Sequence, residues 1–162
     1  MRARVRYARL LVTTLTASFM LAAIAGTALA GPLDDLFGST QFEKGQAAYK
    51  GHDYVTAMRL WLPLAKQGDA SAQYYLGVMY QNGSGVPQNY AEAAKWYLLA
   101  AEQDHAPAQA NLAGLYEDGF GVPKNKAKAM KLYCRAAENG DPIAQDYLVS
   151  IPKSIEELCP KF

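Results

Sequence analysis

The sequence of 162 residues predicts an all-α fold, an α/α solenoid of stacked helix pairs, on three observations. Residues 70–105 and 106–141 are one 36-residue unit written twice without a gap, identical at 17 of the 36 positions. Each copy carries two stretches of apolar residues at helical spacing, and a turn rich in Gly and Pro divides them. A fixed period of this length marks units that bury their apolar faces only against their neighbours.

From the N-terminus, Arg2, Arg4, Arg6 and Arg9 precede an apolar run from Leu10 to about Ala25, and Ala28-Leu29-Ala30 supplies small residues for a peptidase. Residues 1–30 therefore read as a secretory signal cut after Ala30, leaving 162 − 30 = 132 residues, periplasmic or secreted. Two alternatives stand beside this. Leu10 to Ala30 is just long enough for an uncleaved membrane anchor, the one membrane contact the sequence suggests. The same segment is Arg-rich and free of acids, as an organelle transit peptide is. No cysteine lies at the cleavage point, so a lipid anchor is not indicated. Residues 31–40 read as a short linker.

In the first full unit Ala72, Leu76 and Tyr80 recur at four-residue steps, as do Ala108, Leu112 and Tyr116 in the second. This spacing predicts a first helix over about 70–82 and about 106–118. Second helices carry the stripes Ala93, Tyr97, Ala100, Ala101 and Ala129, Tyr133, Ala136, Ala137, with tyrosine hydroxyls reaching solvent or backbone carbonyls. Between the helices stands Gly83-Ser84-Gly85-Val86-Pro87-Gln88-Asn89, repeated as Gly119-Phe120-Gly121-Val122-Pro123-Lys124-Asn125. A dinucleotide-type phosphate loop needs a preceding strand and a third glycine where Gln88 and Lys124 stand. The turn reading is preferred: Gly83 and Gly119 end a helix in the left-handed conformation, Pro87 and Pro123 prevent its resumption, and Asn89 and Asn125 cap the next one.

Ala-x-Ala followed by Leu76, Tyr80, Gly83-x-Gly85-Val86, Ala93, Trp96-Tyr97 and Ala100-Ala101 resembles the Sel-1-like repeat, a longer relative of the tetratricopeptide repeat. The resemblance implies a right-handed α/α solenoid of tetratricopeptide-like helix pairs. Residues 41–69 resemble a diverged first repeat: Tyr49 stands for Tyr80, the loop shrinks to Lys50-Gly51-His52-Asp53, and Tyr54, Ala57, Trp61 and Ala65 continue the second-helix stripe. Residues 142–162 resemble a partial repeat with a capping tail, Ala144 and Leu148 standing in register. Such flanking units cap a stack that two repeats alone would leave marginal.

The only cysteines, Cys134 and Cys159, are 25 positions apart, and in an oxidising compartment such a pair is most simply one disulfide. That bridge would staple the tail Ser154–Leu158 over the open end of the stack. A redox-active pair is the alternative, without the Cys-x-x-Cys spacing such pairs use.

The chain has 16 Lys plus Arg and 15 Asp plus Glu; removal of the signal, with four arginines and no acid, leaves 12 − 15 = −3. A weakly acidic domain has no electrostatic footprint for nucleic acid. Lys124, Lys126, Lys128 and Lys131 form the one basic cluster, read as a solvated helix face with an anion site as the alternative.

Catalysis finds little support, and no cofactor or metal is expected. His52 and His105 fall in short turns without partners at ligand spacing and read as surface residues. Ser84 lacks the spacing of a nucleophile elbow, Glu102 and Glu138 repeat in register as packing or solvation would have them, and the adjacent Glu117 and Asp118 point apart.

The resemblance implies that first helices line a concave face. Mapped onto this chain, its outward positions are Tyr74, Val78, Gln81 and Asn82, then Ala110, Gly114, Glu117 and Asp118, then Asp146. Tyr74 beside an aliphatic side chain and amides suits a protein or peptide partner, although it could equally cover neighbouring helix surface. The resemblance further implies an exported interaction module, an adaptor or regulator in the cell envelope. An alternative comes from a cysteine-rich branch of the family linked to β-lactam binding and hydrolysis. That branch carries a cysteine pair in each repeat, whereas Leu98 stands where Cys134 would recur.

Overall fold

The computed structural model describes residues 30–151 and residue 159, with side chains from residue 40 onward. The chain divides into two units, 1–39 and 40–162, and the packing below is that of the second. The described residues form seven helices and no strand: α1 (Ala30–Lys50), α2 (Tyr54–Lys66), α3 (Ala70–Asn82), α4 (Tyr90–Ala101), α5 (Ala106–Asp118), α6 (Lys126–Glu138) and α7 (Pro142–Ser150). The first helices α3 and α5 end where the sequence places their ends. The linker expected over residues 31–40 is helical instead and forms the first half of α1. Pro32 falls in the first turn of that helix, where its missing N–H breaks no intrahelical bond. The expected signal, apart from Ala30, and the expected tail Ser154–Leu158 lie outside the described residues.

Every helix from α2 to α7 starts with a side-chain cap. Asn89 and Asn125 accept from the N–H groups of Glu92 and Lys128 at 3.0 and 2.9 Å, as the sequence predicts. Asp53, Asp69 and Asp141 do the same for α2, α3 and α7. Gly83 and Gly119 close α3 and α5 with φ of 71° and 81°. A side-chain cap satisfies one of the orphan N–H groups of a first turn and contributes about 1 kcal/mol.

The apolar stripes are buried, and they meet across unit boundaries. Ala57, Trp61, Leu64 and Ala65 of α2 form one cluster with Ala72, Leu76 and Met79 of α3. Ala93, Tyr97, Ala100 and Ala101 of α4 form the next with Ala108, Leu112 and Leu115 of α5. The third joins Ala129, Tyr133, Cys134 and Ala136 of α6 to Ala144 and Leu148 of α7, and draws in Ala110 and Ala113 of α5. Each second helix thus packs both on the first helix of its own unit and on the first helix that follows it, the nearest-neighbour packing of a solenoid. Alanine lets the helices approach closely; a Cβ built on Gly77 would lie 2.5 Å from the Tyr97 ring.

A polar ladder runs beside these clusters. Gln73 donates through Nε2 to the Ala65 carbonyl at 3.0 Å, and Gln109, one unit later, donates to Ala101 at 3.0 Å. Both amides are almost fully buried, and their Oε1 atoms accept from Gln103 and Asn139 at 2.8 and 3.0 Å. Gln145 on α7 repeats the contact to Ala137 with its side chain exposed. A buried amide is tolerable only when its polar atoms are satisfied, so the ladder specifies the angle at which each unit follows the last.

The inter-helix loops add a third set of contacts between units. Phe120 stacks on Tyr90 with ring centroids 5.1 Å apart. Gly121, at φ 68°, lies against the backbone of Tyr90 and Ala91 at the start of α4. Gly85 meets Tyr54 at the start of α2 in the same way. The glycine pair therefore serves both a helix stop and a close approach of two backbones.

Cys134 on α6 and Cys159 are joined by a disulfide with their Cα atoms 5.6 Å apart. Cys159 packs against the third core cluster, so the bridge returns the chain that follows α7 to α6.

Candidate functional site: the first-helix face

The residues expected to point outward from the first helices divide into three groups. Asn82, Asp118 and Asp146 are exposed. Tyr74 and Val78 are half-buried and pack on the cluster of α4 and α5. Ala110, read from the sequence as outward, is instead buried at 8 % exposure, because α5 is covered there by the core of α6 and α7. Gly114 leaves room above Tyr133, whose hydroxyl would be 3.6 Å from a Cβ at that position.

Gln81 and Glu117 are engaged by the tyrosines of the second helices. Tyr97 donates its hydroxyl to Gln81 Oε1 at 2.7 Å, and Tyr133 donates to Glu117 Oε2 at 3.2 Å, so these hydroxyls serve side chains. The next first helix adds a second donor to each centre. Asn111 Nδ2 donates to the Tyr97 hydroxyl oxygen at 3.2 Å, and Tyr147 donates to Glu117 Oε1 at 2.6 Å. Burial pushes both Tyr97 and Tyr133 well above the ordinary phenol range, and beside Tyr133 the Glu117 carboxylate adds to the shift. Tyr147 is pushed up to about 12 by burial, its bond to Glu117 and the charge of that carboxylate. These phenols stay protonated at neutral pH and hold the Gln81 and Glu117 side chains as donors.

Tyr75, Asn111 and Tyr147, absent from the sequence-derived site, share one register position at 36-residue intervals. Only the repeat spacing marks them in the sequence, since their types differ. Tyr75 stacks on Trp61 at 4.6 Å and approaches Phe42 and Tyr49 at 5.7 and 6.0 Å. Tyr74 touches Tyr75 at 5.2 Å and the His105 ring at 5.0 Å. An aromatic surface on α1 and α3 thus passes into an amide and carboxylate surface on α5 and α7.

His105, read from the sequence as a surface turn residue, caps α5: its Nδ1 accepts from the Ala108 N–H at 3.3 Å. Asp69 and Asp141 occupy the same register position one unit away on either side. Burial lowers the His105 pKa below 6.5, and the charge of Asp69 partly opposes the shift. A depressed folded-state pKa favours the neutral ring, so this contribution is complete above pH 6.5 and is lost as the pH falls toward the folded value. Protonation places a hydrogen on the atom that must accept, removing a cap of about 1 kcal/mol. Thermal melts should show stability falling from pH 7.5 to 5, with a smaller fall in His105→Asn; equal falls would assign the effect elsewhere. Asp53 and Asp104, whose pKa values are lowered by hydrogen bonds from Thr56 and Arg135, lose their contributions in more acid solution.

Among the described residues no cluster of His, Cys, Asp and Glu could hold a metal ion. No helix among them is long and apolar enough to cross a membrane.

A family model described as the Sel1 repeat matches residues 42–69, 70–105 and 106–141. No curated protein sequence matches the chain. Among solved structures, a Sel1 repeat protein from Oxalobacter formigenes is 39 % identical with a TM-score of 0.63, over 66 % of this chain and 45 % of that one. A protective antigen of uropathogenic Escherichia coli with an SLR fold is 37 % identical with a TM-score of 0.64, over 68 % of this chain and 25 % of that one. The chain therefore spans less than half the length of either. Helicobacter pylori cysteine rich protein B, at 19 % identity and a TM-score of 0.58 over all of its own length, shares the fold.

Proposed function

The chain belongs to the Sel1 repeat family, and from that premise we propose that it is an exported interaction module of the cell envelope, holding a partner protein or extended peptide on its first-helix face. The observation that carries this reading is the composition of that face. Half-buried Tyr74 and Val78 give apolar contact area, Asn82 and Asp118 stand exposed beside them, and Gln81 and Glu117 are oriented by the buried tyrosines. Tyrosine anchors at low entropic cost, and side chains already held in one rotamer lose less on binding. The Cys134–Cys159 bridge supports the export reading, because disulfides persist in oxidising compartments. Alkylation of the exported protein without reductant should find both thiols protected, and two reactive thiols would contradict an oxidising location.

The partner is tested by photo-crosslinking in intact cells from a probe at Asn82 or Asp118, with a probe at Leu99 on α4 as the control. The expected result is one dominant partner crosslinked from the first helices and absent from the control. Tyr74→Ala combined with Glu117→Lys should reduce its yield about tenfold or more, in keeping with the loss of an anchor side chain. Unchanged yield in that variant would remove this face from consideration.

A further inference from the structure

The charges of the stack are segregated by helix layer. From α2 onward the first helices α3, α5 and α7 carry three acidic and no basic residues, whereas the second helices α2, α4 and α6 carry seven basic and two acidic; α1, which precedes them, carries Glu43, Lys44 and Lys50 over residues 40–50 and falls outside this pattern. Arg59, Lys95 and Lys131 recur at 36-residue intervals in the same register, all exposed, so the solenoid sets them in one row across the second helices α2, α4 and α6. Exposed aliphatic side chains flank that row, Val55 on α2 and Leu98 and Leu99 on α4. Of the cluster that the sequence alone assigns to a solvated face, Lys131 belongs to this row, whereas Lys128 lies over the Tyr116 ring of α5 and donates to its hydroxyl.

We propose that the second-helix face docks on the surface of a bilayer rich in anionic phospholipid. Cations placed at such a surface are attracted within about a Debye length, while aliphatic side chains between them enter the headgroup region. A nucleic-acid surface would match the cations and leave the exposed Val55, Leu98 and Leu99 without a counterpart. The acidic residues of the first helices are repelled from the same surface, so docking turns the first-helix face toward solution. Arg135 and Lys95 retain their ion pairs with Asp104 and Glu92, exposed contacts that water and phosphate screen readily. This docking is separate from the partner binding proposed above, and either can fail without the other.

The test is flotation of the exported protein with vesicles of phosphatidylcholine alone or mixed with phosphatidylglycerol. Binding should require phosphatidylglycerol and weaken with salt. Because each cation near an anionic surface contributes about fivefold, replacing Arg59, Lys95 and Lys131 together by Gln should lower partitioning by about a hundredfold. The charge-retaining variant Lys95→Arg with Lys131→Arg should bind as the parent does, which separates charge from folding. Partitioning unchanged by the Gln substitutions would overturn the proposal. So would a variant that loses binding to duplex DNA or heparin while keeping vesicle binding, which would reassign the row to a soluble polyanion.

Discussion

Gly121→Ala lowers the unfolding free energy by about 4 kcal/mol. Gly121 has φ of 68°, and a Cβ there would lie 2.6 Å from the Tyr90 carbonyl oxygen and closer still to the Ala91 nitrogen. The left-handed backbone alone costs an alanine about 1–2 kcal/mol. The rest arises because the Cβ meets backbone, which no rotamer change relieves, so the loop must lift and lose the stacking of Phe120 on Tyr90. Gly140→Ala is the internal control: its φ is 88°, but nothing lies within 4 Å of the added Cβ. One unit earlier Asp104 occupies that register position at φ 59°, so a side chain is accommodated there. Chemical denaturation followed by circular dichroism should separate the two glycines by about 2 kcal/mol or more, the overlap term. Equal losses at the two positions would mean that the loop is not an inter-unit contact.

Gln109→Ala should cost about 3 kcal/mol, from one buried and one partly buried hydrogen bond and the cavity left by the side chain. Gln109 is fully buried, donating to Ala101 and accepting from Asn139. Gln145→Ala removes the equivalent donor to Ala137 where the side chain is exposed, and should cost under about 1 kcal/mol. A double-mutant cycle of Gln109 with Asn139 should give a coupling of about 1 kcal/mol, whereas independent sites would give none. Additive losses would show that the ladder is a set of unrelated contacts.

The scaffold was legible in the sequence because its determinants are local. Leu76 and Leu112 are core residues by spacing alone, and Gly83, Pro87 and Asn89 delimit the loop through backbone preferences that need no tertiary partner. His105 could have been read as a cap from its register with Asp69 and Asp141, but histidine is an unusual cap, and its turn position suggested only surface. Gln73 and Gln109 were equally visible as an identity between the repeats. Their type did not announce burial, since glutamine is mostly exposed. Ala110 was misplaced for the converse reason: an outward position on an isolated helix becomes interior once two later helices cover it.

By itself the sequence determined the period, the helix bounds of α3 and α5 and the apolar stripes, all set by residues within one turn or one repeat of each other. Which side chains face each other across repeats was decided only by the tertiary structure. The closing of Tyr147 on Glu117, the seating of Gly121 on α4 and the burial of Gln109 depend on how one unit is rotated onto the next. That rotation emerges from packing volumes and satisfied hydrogen bonds summed over several helices, and no single stretch of chain encodes it.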